Sequence, residues 1–190
     1  MTDKKDWSEW YDMTRVQAPS QLLVDALSYI NMPGKAIDIG GGALIDTKYL
    51  LQKGFDVTVI DSSPLLEKEV ADIKSKRLYP IFSSFEDFQF PIDEYILASA
   101  MHSLSYCDPK HFNRVFTNIK ASLKKGGIFC GQMYDSYDQW SKGLTRAYQS
   151  YDEARNYLKD FEILYFQEEE TEQGHTKHWR IFNFIAKKLK

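Results

Sequence analysis

The residues best placed to do chemistry are two carboxylates with glycines between them. Asp38 sits near the end of an apolar run, Ala36-Ile37-Asp38-Ile39, and Gly40, Gly41 and Gly42 follow at once. Asp61 ends a second, β-branched run, Val57-Thr58-Val59-Ile60-Asp61. Glycine straight after a strand accepts positive φ and lets another molecule reach the backbone without meeting a Cβ. An acid about 20 residues further on, at the carboxyl end of the next strand, stands where it meets the two hydroxyls of a ribose. The pattern therefore describes a cradle for an adenosine derivative. Its head group follows from Asp38, since an acid at the strand end attracts an ammonium and repels a pyrophosphate. A dinucleotide fingerprint also needs a third spaced glycine, and counting from Gly40 that position is Ile45, which disfavours a nicotinamide dehydrogenase.

Proton chemistry has fewer candidates. His102 follows the small-residue strand end Ala98-Ser99-Ala100-Met101, at the edge where the cradle opens, and a histidine there suits a base near neutral pH. Tyr134 and His178 are the other catalytic candidates, and Trp140 and His102 are candidates for holding a substrate. A metal site is not expected. His175 and His178 are three apart, on opposite faces of a strand, and Cys107 and Cys130 have no ligand spacing.

These residues require a strand-turn-helix-strand unit, and the surrounding pattern supplies it. Strand one is predicted over Lys35–Ile39, a helix over Ile45–Lys53 closed by Gly54, and strand two over Val57–Asp61. Before them, Pro19-Ser20 opens a helix with Ser20 as its cap, carrying a stripe of Leu22, Leu23, Ala26, Leu27 and Ile30. After them, Ser62-Ser63-Pro64 starts an amphipathic helix running through Lys76, and Ser62 lies beside the ribose position. Tyr79–Ser83 reads as a third strand, kept to an edge by Pro80. Tyr95–Ser99 reads as a fourth. Asp108-Pro109 opens a helix burying Phe112, Val115, Phe116, Ile119 and Leu123, with His111 outside the stripe. Lys124-Lys125-Gly126-Gly127 ends that helix, and strand five spans Ile128–Met133. A last helix covers Tyr151–Lys159, strand six starts at Phe161–Phe166, Glu168–Gly174 reads as a charged turn, and Lys177–Ala186 is a final strand apolar on both faces.

The chain has 190 residues, 43% hydrophobic and 15% aromatic, enough for one domain with a full core. Net charge is −3 and no basic stripe interrupts the pattern, so a nucleic-acid partner is not expected. No apolar run is long enough to cross a membrane, the N-terminus is charged rather than signal-like, and two unpaired thiols suit a reducing compartment, so a cytoplasmic location is expected.

With Asp38-x-Gly40-x-Gly42 and Asp61 in these places, the chain resembles the class I S-adenosylmethionine-dependent methyltransferases. Its Lys-His-Trp entry to the last strand and the acidic stretch before it are similar to small bacterial members related to the tellurite-resistance type. The resemblance implies a Rossmann-like α/β fold: a seven-stranded, mostly parallel sheet in the order 3-2-1-4-5-7-6, strand seven antiparallel, helices on both faces. It implies one methyltransferase domain over residues 1–190, with residues 1–18 as a lid and 36–190 as the core. It further implies S-adenosylmethionine as cofactor, S-adenosylhomocysteine as product and a small-molecule acceptor. By the same resemblance the cofactor meets Asp38, Gly40, Gly41, Gly42, Asp61 and Ser62. Ser84 and Phe85 receive its adenine, Ser99 and Ala100 its methionyl end, and Tyr11 and Arg15 reach it from the lid. Leu44, where relatives often carry glycine, and Ser84, where many carry an acid, depart from the pattern. They leave open an alternative, a non-catalytic relative that binds a nucleoside or a partner protein.

Overall fold

The computed structural model describes residues 7–135, 146–172 and 178–190. Trp140 and His175 therefore lie outside the described residues, and of His178 only the backbone is described. In chain order the elements are α1 (Ser8–Thr14), α2 (Gln21–Leu27), β1 (Lys35–Ile39), α3 (Ile45–Gln52), β2 (Asp56–Asp61), α4 (Leu65–Ala71), β3 (Leu78–Phe82) and β4 (Tyr95–Ala100). A single 3-10 turn (Leu104–Tyr106), α5 (Pro109–Ser122), β5 (Leu123–Tyr134), α6 (Tyr151–Tyr157), β6 (Phe161–Glu172) and β7 (His178–Lys188) follow.

The strands form one seven-stranded sheet in the order β3-β2-β1-β4-β5-β7-β6. β1 pairs in parallel with β2 and β4, and β7 runs antiparallel between β5 and β6. The order reverses beside β1, so the ends of β1, β2 and β4 open onto one crevice, where such sheets take ligands. The central strands β1, β4 and β5 are buried on both faces because helices cover both. Leu23 and Ala26 of α2 and Leu50 and Leu51 of α3 pack with Ala36, Val57 and Leu97 on one side. Phe112, Val115, Phe116 and Ile119 of α5 and Ala154 and Leu158 of α6 pack with Ile37, Ile39 and Phe129 on the other. Among the described residues no helix is long and apolar enough to cross a membrane.

The predicted architecture holds, with four local differences. Ser20 makes no side-chain cap on α2; its N–H and hydroxyl both donate to Asp46, at 2.8 Å each, which ties the entry of α2 to α3. α4 stops at Ala71 instead of continuing to Lys76. The Lys124–Gly127 stretch is a bulged entry to β5: Tyr95 pairs with Leu123 and Leu97 with Ile128, so β5 carries three extra residues there. The acidic stretch expected as a turn is strand. Glu168, Glu169 and Glu170 pair with β7 at the sheet edge, where alternation sends Glu168 and Glu170 to Arg180 (2.9 and 3.7 Å) and Glu169 to Asn183 (3.1 Å).

A buried lysine closes the core beneath α5. Lys188, 8% exposed, donates to the Leu123 carbonyl at 2.5 Å, to that of Ala121 at 3.5 Å and to Asp93 at 2.9 Å. It adds a cationic donor at the C-terminal end of α5, where the helix dipole favours positive charge. Lys188→Met keeps the apolar stem and removes the donors, and is expected to lower unfolding free energy in urea by about 2 kcal/mol.

Candidate functional site

The turn after β1 is shaped by positive φ. Gly40 lies at φ +76, and a Cβ there would stand 2.5 Å from the Ser103 Cβ. Its N–H donates to the Ile60 carbonyl of β2 at 2.8 Å, holding the turn against the neighbouring strand end. Asp61 then reaches back across the turn. Its Oδ2 accepts the Gly42 N–H at 2.9 Å and its Oδ1 accepts the Ser63 N–H at 2.8 Å. Burial pushes the Asp61 pKa up, and these backbone donors oppose the rise. Each oxygen keeps a second lone pair for a ligand hydroxyl.

Leu44 also adopts a left-handed conformation, at φ 63. That geometry suits the glycine usual at this position. Here the leucine side chain is fully buried with Val59 and Leu66, below the turn and outside the crevice. It fills the core and leaves the cradle open.

Two cavities flank the turn and share Gly40, Gly42, Met101 and His102. The first, about 150 Å³, lies on the Asp61 side between Phe85, Ser62 and the rings of Trp7 and Tyr11 from α1. Among the described residues, two buried hydroxyls on its lining, Tyr11 and Ser103, have no hydrogen-bond partner. Burial, reinforced by the nearby Asp61 charge, pushes the Tyr11 phenol up to about 12. The second, about 300 Å³, opens on the Asp38 side beside Asp46, Ser20 and Thr14. Asp38 is 3% exposed, and Thr47 donates to its Oδ2 at 2.5 Å. Burial, followed by the charge of Asp46, raises its pKa to about 7. One cavity thus offers a nucleoside-sized slot with a clasped carboxylate, and the other a polar chamber with two acids.

His102 stands where the two cavities meet. Its backbone is left-handed, at φ 51, and its N–H donates to Gln132 Oε1 at 2.8 Å. The ring Nδ1 lies 2.7 Å from the Tyr134 hydroxyl. The imidazole is open to the crevice but surrounded by protein, and desolvation lowers its pKa, against the upward pull of Asp46 and Glu169.

The structure brings Asp38, Gly40, Gly41, Gly42, Asp61, Ser62, Phe85, Tyr11, His102 and Tyr134 to the crevice. Four predicted residues do not line either cavity. Arg15 pairs with Glu69 of α4 at 2.5 Å and with Asp12 at 2.6 Å, pinning α1. The Ser84 hydroxyl accepts from the Asp87 N–H and donates to its carboxylate, serving its own turn. Ser99 and Ala100 are fully buried within β4, and Met101 and His102, the next two residues, line both cavities. Sequence reasoning missed Thr47, Ser103, Tyr106 and Arg146. Thr47 lies nine residues after Asp38, on the first turn of α3, and its reach to the acid follows only from the helix direction.

A model of the methyltransferase domain matches residues 11–182. The chain belongs to the methyltransferase domain family. It is an S-adenosylmethionine-dependent methyltransferase. Solved structures share its fold. TehB from Haemophilus influenzae superposes with a TM-score of 0.76 at 20% identity, over 96% of this chain and 65% of that one. The N-methyltransferase NodS from Bradyrhizobium japonicum, in complex with S-adenosylhomocysteine, gives 0.73 at 14% identity over 99% and 90%. The 1,6-didemethyltoxoflavin-N1-methyltransferase of Burkholderia thailandensis, with 1,6-didemethyltoxoflavin and S-adenosylhomocysteine bound, gives 0.71 at 17% identity over 96% and 81%. A search of curated proteins finds no match by sequence. The methyltransferase's own residues fit the cofactor: the two partnerless hydroxyls border the nucleoside slot, and the glycine turn leaves backbone where a side chain would intrude.

Proposed function

We propose that this methyltransferase acts on a small-molecule acceptor. Asp61 and Ser62 receive the ribose, Phe85 offers a ring face to the adenine, the Gly40–Gly42 backbone floors the slot, and Asp38 draws the ammonium of the amino-acid tail. When bound, the cofactor supplies a methyl group on a sulfonium, an electrophile that needs alignment more than activation. The acceptor stands beside His102, walled by Trp7, Tyr106, Tyr134 and Arg146. Tyr134 occupies Nδ1, so Nε2 is the nitrogen that takes a proton from an O–H or N–H acceptor as the new bond to carbon forms. A thiolate or other anion needs no such help.

The observation that carries this reading is the meeting of the two cavities at His102, with Trp7 and Tyr11 of the leading segment lining the first of them. The composition and the two buried free thiols support a cytoplasmic setting, and the single continuous sheet supports one domain whose leading segment covers the cofactor. The test is methyl transfer from labelled S-adenosylmethionine to pools of thiols, amines, carboxylates and oxyanions. Transfer to one pool is expected, reduced about 100-fold in His102→Ala if the acceptor must lose a proton. Binding of the cofactor with no transfer to any pool would favour a nucleoside-binding relative instead.

Asp38 makes cofactor binding pH-dependent. Its folded pKa lies above its unfolded value, so its protonated form stabilises the fold below about pH 4, and that contribution is lost as pH rises to about 7, roughly 4 kcal/mol in all. An ammonium prefers the ionised acid. Affinity for S-adenosylhomocysteine is therefore expected to rise as pH climbs through about 7. Adenosine, lacking the ammonium, is expected to show no such rise by calorimetry, and Asp38→Asn to abolish the rise for S-adenosylhomocysteine.

A further inference from the structure

A chain of buried amides runs from His102 to the sheet edge. Gln132 Oε1 accepts the His102 N–H at 2.8 Å, Gln132 Nε2 donates to Asn183 Oδ1 at 3.0 Å, and Asn183 Nδ2 donates to Glu169 Oε2 at 3.1 Å. Gln132 and Asn183 are each 8% exposed and directly paired across β5 and β7, between apolar neighbours such as Met133, Phe182 and Phe184. Two amides at the centre of a sheet are costly unless fully partnered, so this pair needs a reason.

The reason lies in direction. A side-chain amide can be turned either way round, but an ionised carboxylate only accepts. Glu169 obliges Asn183 to face it with NH₂, which leaves the Asn183 oxygen for Gln132, which in turn leaves the Gln132 oxygen for His102. With the chain reversed, the Gln132 NH₂ would meet the His102 N–H, donor against donor. The left-handed backbone at φ 51, uncommon for a side-chain-bearing residue, would lose its partner.

We propose that Glu169 is a positioning residue that acts through Asn183 and Gln132 to hold His102 at the junction of the two cavities. No part of the relay touches the cofactor slot. The importance of holding His102 rests on the function proposed above; the relay itself does not.

The test uses the full-length protein and amide signals, which need no acceptor. Glu169 is exposed on an edge strand, so Glu169→Gln folds readily. Its neutral amide both donates and accepts, and so no longer dictates the order. Exchange of the His102 backbone N–H, the group the relay holds, is expected to quicken about tenfold, the value of one hydrogen bond. Affinity for S-adenosylhomocysteine stays unchanged. The double variant E169Q/N183D moves the acceptor-only group one position inward: the new amide on β6 donates to the new carboxylate on β7, which again accepts from Gln132. It is expected to restore the wild-type exchange at His102, which a packing role for Glu169 would not do. Unchanged exchange at His102 in Glu169→Gln would overturn the proposal, as would a folded double variant in which it stays fast. If the double variant does not fold, the single variant decides. Absence of S-adenosylhomocysteine binding in the wild type would count against the proposed function alone.

Discussion

Asp61→Ala is expected to weaken S-adenosylhomocysteine binding about 100-fold or more, because hydrogen bonds to a charged group contribute about 1.5–3 kcal/mol each and, in the proposed site, two ribose hydroxyls lose their acceptor. The loss is also structural. The Gly42 and Ser63 N–H groups, now clasped by the two carboxylate oxygens, are set free, so the turn that floors the slot loosens with its ligand. Asp61→Asn separates charge from geometry. Its single oxygen can serve one of those N–H groups, while its NH₂ must face the other, donor to donor. Asparagine is therefore expected to lose about tenfold or more in affinity although it nearly matches aspartate in shape. Ser62→Ala, which leaves the clasp intact, is expected to change affinity far less. Calorimetry across the three variants checks the order Ala, Asn, Ser62→Ala, from weakest to strongest binding.

Gly40→Ala is expected to cost about 3 kcal/mol of stability, through left-handed strain of about 1–2 kcal/mol and a collision. The new Cβ would lie 2.5 Å from the Ser103 Cβ and 3.4 Å from the Phe85 ring. Both neighbours line the nucleoside slot, so relief of the clash comes at the expense of the site. Gly42→Ala supplies the contrast. Gly42 is also left-handed, at φ +51, yet its Cβ would meet nothing closer than the Gly40 carbonyl at 4.0 Å. Strain alone then applies, about 1 kcal/mol. Thermal melting is expected to show Gly40→Ala lower by roughly 6–12 °C and Gly42→Ala by a third of that.

The two carboxylates and the glycines were legible because their meaning depends on local order: an acid and a glycine turn at a strand end mark the same edge wherever the sheet lies. The strand order was legible through resemblance, and the elements themselves through periodicity. What escaped the sequence depends on contacts across the sheet. Arg15 reads as a contact from the lid to the cofactor, but in the structure it pairs with Glu69, 54 positions away. By resemblance Ser99 and Ala100 meet the methionyl end of the cofactor, but both are buried within β4, and it is Met101 and His102 that line the two cavities. The acidic residues 168–170 read as solvated, since nothing local shows that Arg180 and Asn183 stand opposite them on β7. Gln132 and Asn183 carried no signal at all, being polar residues inside apolar strands whose meaning appears only when the strands are paired.

Leu44 illustrates the opposite error. A leucine in place of glycine at a nucleotide-binding turn suggests a blocked or weakened site. The backbone there is left-handed as a glycine's would be, and the side chain turns into the core to complete the contact of α3 with α4. Strain is accepted at one residue in exchange for burial of a full leucine, worth about 1.5–3 kcal/mol.

The central claim is that the crevice between Asp38 and Asp61 binds one sulfonium nucleoside by its sugar and its amino-acid tail. The most direct measurement is titration calorimetry of the unmodified protein with S-adenosylhomocysteine at pH 8, where Asp38 is ionised. Saturable binding at one site per chain, stronger than that of adenosine, is the predicted result. No heat at millimolar ligand, or equal affinity for both compounds, would contradict it.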